Sequence, residues 1–192
     1  IAKHGRNIFH PSFSSSDEGR CFVAGILQRA AELTVFGNPL TNSYQRLGEY
    51  EAPKYITWSH RNRSPLITLP LADGKTVNRM KIRALDGCIN PYIVFALLIH
   101  AGLDGIEQRA QLAPACDENL FTAPPEVRAQ YTSLPASLCE AIACASDSLF
   151  IMKNLPAKAR SAFFAAKQAE HDRIAAAEDQ LSAERRLYFE RY

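Results

Sequence analysis

The sequence has no apolar run approaching the ~20 residues that a membrane-spanning helix needs. The longest, Tyr92 to Ala101, falls far short and already holds His100. Nor is there an excess of either charge. With 22 Lys and Arg against 20 Asp and Glu, the formal net charge is +2. Such a balance offers neither the basic footprint that nucleic acid requires nor an attraction to anionic lipid, so no nucleic-acid and no membrane partner is expected. There is no CxxC pair. The five cysteines, Cys21, Cys88, Cys116, Cys139 and Cys144, form an odd, scattered set. That pattern fits reduced, mostly buried thiols of a cytoplasmic protein better than a disulfide or zinc framework. Cys139 and Cys144 sit in an apolar helical pattern and are expected in a core. No secretory leader, internal repeat or low-complexity linker is visible. The chain opens on Ile1-Ala2-Lys3-His4-Gly5 rather than on Met, as if in the middle of a longer protein.

What is present suffices for a packed domain: 192 residues, 47% of them apolar. Residues 1–192 read as one domain. Asp17 and Glu18 stand where a helix start favours negative charge, and Phe22, Ile26, Leu27, Ala30 and Leu33 continue an amphipathic helix to about Phe36. Gly37-Asn38-Pro39 stops it. Residues 41–53 are polar and turn-rich, a loop long enough to suspect function. Lys54–His60, Pro65–Leu71 and Val77–Ala84 have strand composition, with Ala72-Asp73-Gly74-Lys75 as a hairpin turn, which reads as an antiparallel meander. A long apolar helix follows Asn90-Pro91 to about Gln111, another spans about Ala136 to Phe150, and Pro156 opens a last helix running to about Tyr192. The charges of that last helix, among them Lys167, Glu170 and Glu184, read as a solvated face.

The chemistry concentrates between residues 42 and 64. Arg46, Arg61 and Arg63 lie close to Glu49 and Glu51, in a span broken by Gly48, Pro53 and Asn62. A guanidinium stays charged and offers paired donors to phosphate or carboxylate oxygens, so the arginines suit an anionic small molecule, and a carboxylate among them suits a cation. His60 alternates along a strand with no partner at metal-ligand spacing and reads as structural or surface.

Several motifs then resemble the bacterial-type glutamine synthetases, in order and nearly in spacing. They are Asn42-Ser43-Tyr44-Gln45-Arg46, Tyr50-Glu51-Ala52-Pro53, Arg61-Asn62-Arg63-Ser64, Asn90-Pro91-Tyr92 and Ala101-Gly102-Leu103-Asp104-Gly105-Ile106, followed by Asp117-Glu118-Asn119-Leu120-Phe121. The resemblance runs from about Gly5 to the end. It implies the C-terminal part of that family's catalytic domain, an α+β fold with an antiparallel β-sheet backed by helices. It also implies ATP-dependent ligation of ammonia to glutamate through γ-glutamyl phosphate, with Mg²⁺ or Mn²⁺ as cofactor, and assembly as a homo-oligomer. By the same resemblance Glu51 is the flap carboxylate that binds ammonium and takes its proton. Arg46 would grip glutamate, Arg63 the ATP phosphates, and Arg83 the reacting end of glutamate or the transferring phosphoryl group.

The departures from the family pattern set further expectations. The family's upstream glutamates and HxHxS motif, which supply most metal ligands, have no counterpart here. The family's Glu-x-Arg is Lys81-Ile82-Arg83, which places a fixed cation where a metal-binding carboxylate stands, and an ammonium has no lone pair to give. Thr68 replaces an arginine, and the Arg46–Glu51 spacing is one residue short. The expectation is a truncated copy, inactive alone. The alternatives are a non-catalytic relative that serves in assembly or binding, and a γ-glutamyl ligase for an amine other than ammonia.

Overall fold

A computed structural model describes residues 2–3, 6–9, 17–49, 51–72, 76–77 and 79–189. Two short strands, β1 (Ala2–Lys3) and β2 (Arg6–Asn7), precede α1 (Asp17–Gln28) and α2 (Ala30–Gly37). A 3₁₀ turn (Thr41–Arg46) leads to β3 (Tyr55–Ser59), β4 (Pro65–Thr68), β5 (Leu71–Ala72), β6 (Thr76–Val77) and β7 (Lys81–Ile82). The remainder is helical: α3 (Pro91–Glu107), α4 (Pro125–Arg128), α5 (Leu138–Ser146), α6 (Leu149–Asn154), α7 (Ala157–Ala175) and α8 (Gln180–Phe189). The α+β class read from the sequence holds. The expected hairpin turn, the Tyr50 of the flap motif and the end of the last helix fall on residues 73–75, 50 and 190–192, outside the described residues.

The chain divides into two compact units. The first takes residues 1–30, 47–84 and 98–134. Its three-stranded sheet has the order β3-β4-β7, and here one expectation needs correcting. β4 and β7 are antiparallel, with Thr68 opposite Lys81, but β3 and β4 run parallel. Parallel neighbours ordinarily need a crossover of a dozen or more residues. Residues 60–64 manage the return because each strand is only four or five residues long, roughly 13–17 Å at ~3.3 Å per residue. Side-chain hydrogen bonds hold the return. Ser59 Oγ accepts from the Arg61 and Asn62 amides, Asn62 Oδ1 accepts from the Ser64 amide at 2.9 Å, and Thr68 Oγ1 donates to the Asn62 carbonyl. β5 and β6 form a separate antiparallel hairpin. Phe22, Val23, Ile26, Trp58, Ile67 and Leu69 are buried.

In the same unit α1 crosses the later part of α3 at very short range, and glycine makes the crossing possible. A Cβ on Gly25 would meet the Ala101 carbonyl oxygen at 2.2 Å, one on Gly105 the Cys21 carbonyl oxygen at 2.3 Å, and one on Gly102 the Phe22 ring at 2.1 Å. The glycines of the Ala101–Ile106 motif are thus a packing surface.

The second unit takes residues 31–46, 85–97 and 135–192. Phe36 stacks on Phe163 with ring centroids 4.7 Å apart, and Leu40, Ile174, Leu187 and Tyr188 share one apolar cluster. The charges expected on a solvated face are buried: Lys167, Glu170 and Glu184 are each 7% exposed or less. Each keeps a partner, as buried charge requires. Lys167 Nζ lies 2.9 Å from Glu170 Oε2, and Glu184 Oε1 accepts the Thr41 hydroxyl at 2.5 Å. Cys139 and Cys144 are exposed, against expectation, because α5 turns Leu138, Ala141, Ile142 and Ala145 inward instead. Of the five thiols only Cys116 is buried. No helix among the described residues is long and apolar enough to cross a membrane.

Candidate functional site

Glu51 sits at the tip of a short closed loop. The Gly48 amide donates to the Ala52 carbonyl at 2.7 Å and the Ala52 amide to the Glu49 carbonyl at 2.8 Å, while Leu47 and Ala52 form an isolated bridge. Closing a loop this tightly demands unusual backbone angles. Gly48 takes φ 96° without steric penalty, but Glu51 itself has φ 62°, which is strained for a residue with a Cβ. The exposed carboxylate faces Arg63, with Nη1 3.3 Å from Oε2. Loop and strand together border a cleft of about 410 Å³ whose lining includes Glu49, Glu51, Lys54, Ser64, Phe121 and Arg128.

Arg63 rides on the return loop between β3 and β4. That loop is tied to the segment after Cys116: the Ser64 hydroxyl accepts from the Leu120 amide at 2.8 Å, and the Asn62 side-chain amide donates to the Glu118 carbonyl. Nearby, Tyr131 is pushed up to about 12, first by a hydrogen bond with the Cys116 side chain, then by burial and by the Glu118 and Asp117 carboxylates. Arg83 follows β7, and its Nε donates to Thr68 Oγ1 at 3.0 Å. His60 is structural as read, its Nδ1 3.1 Å from the Leu69 carbonyl and its ring edge-on to Trp58.

Arg46 belongs to the second unit, where its Nη2 donates to Asn38 Oδ1 at 2.7 Å and its Nε lies 3.9 Å from Asp86 Oδ2. Asp86 also accepts the Ser43 hydroxyl at 2.7 Å. In this unit burial raises the Tyr188 hydroxyl and hydrogen bonds from Thr41 partly oppose it. Burial also raises the Cys88 thiol, with Asp86 adding to it.

Against this geometry, a model of the glutamine synthetase catalytic domain matches residues 1–186. The chain belongs to the glutamine synthetase family. The glutamine synthetase of Methanosarcina mazei is 36% identical over 178 residues, 90% of this chain and 40% of that protein. That of Salmonella typhimurium is 34% identical over 180 residues, 91% of this chain and 38% of the relative. A solved structure described as a GmaS/ADP complex, conformation 1, superposes with a TM-score of 0.80 at 28% identity, covering 97% of this chain and 43% of its own. Apo GmaS without ligand gives 0.73 at 29% identity, covering 91% and 38%. The chain thus spans about two fifths of the length of the curated relatives it matches.

Glutamine synthetases imply ATP and a divalent metal. The residues described here do not fit the metal. No group of three or more His, Cys, Asp or Glu among them could hold an ion, and the strand position expected to carry a ligand is Lys81, exposed and opposite Thr68. Of the glutamine synthetase-like positions singled out in the sequence, the fold pairs Glu51 with Arg63 and brings Arg83 onto Thr68, while Arg46 is held separately by Asn38 and Asp86. Sequence reading missed those last two, and also missed Ser59, Asn62 and Ser64 as the braces of the arginine loop. Their signal was the density of Asn and Ser around the strand end, where such side chains bond nearby backbone.

Proposed function

We propose that this chain serves a glutamine synthetase-like, ATP-dependent ligation of ammonia to glutamate. The supporting observation is the strained, exposed Glu51 at the tip of the closed loop, within reach of Arg63, in a chain of this family. A carboxylate held on an unfavourable backbone and paired only in solvent is free to change partner.

Arg63 grips the nucleotide phosphates. A γ-carboxylate oxygen attacks the terminal phosphorus of ATP, the bond to the bridging oxygen breaks, and ADP leaves. Arg83 donates to the oxygens that gather charge in that transfer. Ammonium then gives a proton to Glu51, and its freed lone pair attacks the acyl carbon. The carbon–oxygen bond to phosphate breaks and nitrogen sheds a second proton, leaving glutamine and inorganic phosphate. Closure of the loop keeps water from the acyl phosphate. A second reading, a non-catalytic relative that binds or assembles, is favoured by Lys81 and Thr68.

The test is ADP release by the protein with ATP, Mg²⁺, glutamate and ammonium chloride. Release that needs both glutamate and ammonium, and that Glu51→Gln lowers by about 10²-fold or more, supports the ligase. Release with an alkylamine but not ammonium assigns another amine. Nucleotide binding without release under either condition assigns the non-catalytic reading.

A further inference from the structure

The side chains around β7 form a second arrangement whose charge is unbalanced. Lys81 lies directly opposite Thr68 across the antiparallel β4–β7 pair, so both side chains project from one face. Arg83, two residues beyond Lys81, shares that face, and its Nε reaches Thr68 Oγ1 at 3.0 Å. The Arg83 amide donates to the Leu66 carbonyl at 3.0 Å, which continues the ladder past β7 and fixes the backbone beneath the guanidinium. Thr68 is 4% exposed and its hydroxyl donates to the Asn62 carbonyl at 3.3 Å. With its proton committed there, its oxygen accepts from Arg83.

The guanidinium is therefore oriented by one edge. Its two terminal nitrogens have no hydrogen-bond partner among the described residues. Neither Lys81 nor Arg83 makes an ion pair among those residues. The two residues are about 6.6 Å apart along the strand backbone; two cations carried on one face repel each other, and an anion between them removes that repulsion.

We propose that Lys81, Arg83 and Thr68 form an oxyanion corner that carries its own positive charge and binds a phosphate-type group without a divalent cation. A carboxylate at position 81 would recruit a metal to neutralise a phosphate. An ammonium recruits none, but it supplies three donors and a full charge in the metal's place. Arg83 adds paired donors, and Thr68 sets the direction in which they point. The inference rests on the ligase reading only in placing the anionic end of a substrate at Arg83. It adds Lys81 as a binding residue and Thr68 as a positioning residue.

The experiment titrates inorganic phosphate into the 192-residue chain by calorimetry at low ionic strength, in EDTA and again in Mg²⁺, with acetate as a parallel probe. Saturable phosphate binding in EDTA, changed less than about twofold by Mg²⁺ and weaker for acetate, is expected. Lys81→Met, at an exposed position, weakens it by about fivefold. Lys81→Glu abolishes it in EDTA and restores part of it in Mg²⁺. Thr68→Val weakens it while leaving a Mg²⁺-independent remnant. Binding that appears only with Mg²⁺, or that Lys81→Met and Lys81→Glu leave unchanged, overturns the proposal, as does the absence of saturable binding. Acetate binding as tight as phosphate overturns the assigned ligand class. No turnover enters the measurement, so a failed ADP-release assay and a failed phosphate titration remain separate results.

Discussion

Glu51 combines a chemically demanding side chain with a backbone angle that its Cβ opposes, φ 62°. A left-handed conformation costs a residue with a side chain on the order of 1–3 kcal/mol, most when it is β-branched, and costs glycine little. The Arg63 pair returns little of that, since both side chains are about two thirds exposed, at 64% and 65%. The strain is therefore expected to appear as a ranking. In urea denaturation Glu51→Gly should be more stable than Glu51→Val by about 1–2 kcal/mol, while both lose the carboxylate. Equal midpoints for the two would show that the loop relaxes around position 51. At this scale the arginines and Glu51 were legible in the sequence, because residues that grip anions stand out among turn formers. What Thr68 does was not: its hydroxyl meets Arg83 only once β4 and β7 are in register.

Among the elements, the closest approach is α1 against α3. Gly105 would place a Cβ 2.3 Å from the Cys21 carbonyl oxygen and 2.7 Å from the Gly25 Cα. These are backbone atoms, which cannot swing aside as a flexible side-chain end can. Gly105→Ala is expected to lower stability by about 1–3 kcal/mol, the usual range for overpacking, read as a drop in thermal midpoint. An unchanged or higher midpoint would mean that the helices separate without loss, since alanine is otherwise the better helix former. The helices themselves were legible from their apolar period, but their interruptions were not. The last helix was read as continuous through an Ala- and Glu-rich stretch of high propensity. Asp179 instead accepts the Ser182 amide at 3.1 Å and its hydroxyl at 2.6 Å, opening α8 anew. Similarly, the parallel pairing of β3 and β4 depends on side-chain bonds inside a five-residue return, which alternation of apolar residues does not reveal.

Over the whole molecule, each unit is gathered from three separate stretches of chain. In the second, Thr41 ties the start of the 3₁₀ turn to α8. Its amide donates to the Tyr188 hydroxyl at 3.1 Å and its own hydroxyl to Glu184 at 2.5 Å. Tyr188→Phe keeps the ring in its apolar cluster but removes the acceptor. It is expected to destabilise by about 0.5–1.5 kcal/mol, the range for losing a hydrogen bond that is only part-buried, measured by guanidinium denaturation. A midpoint equal to the parent's would show that water replaces the hydroxyl.

The Thr41–Tyr188 bond also sets a schedule. Its partners are 147 residues apart in sequence, and a ribosome adding roughly 5–20 residues per second needs about 7–30 s to pass from one to the other. Through that interval the segment that carries Arg46 waits for the helix that will hold its neighbour. During synthesis, Thr41 leaves the ribosome long before the side chain that fixes its place.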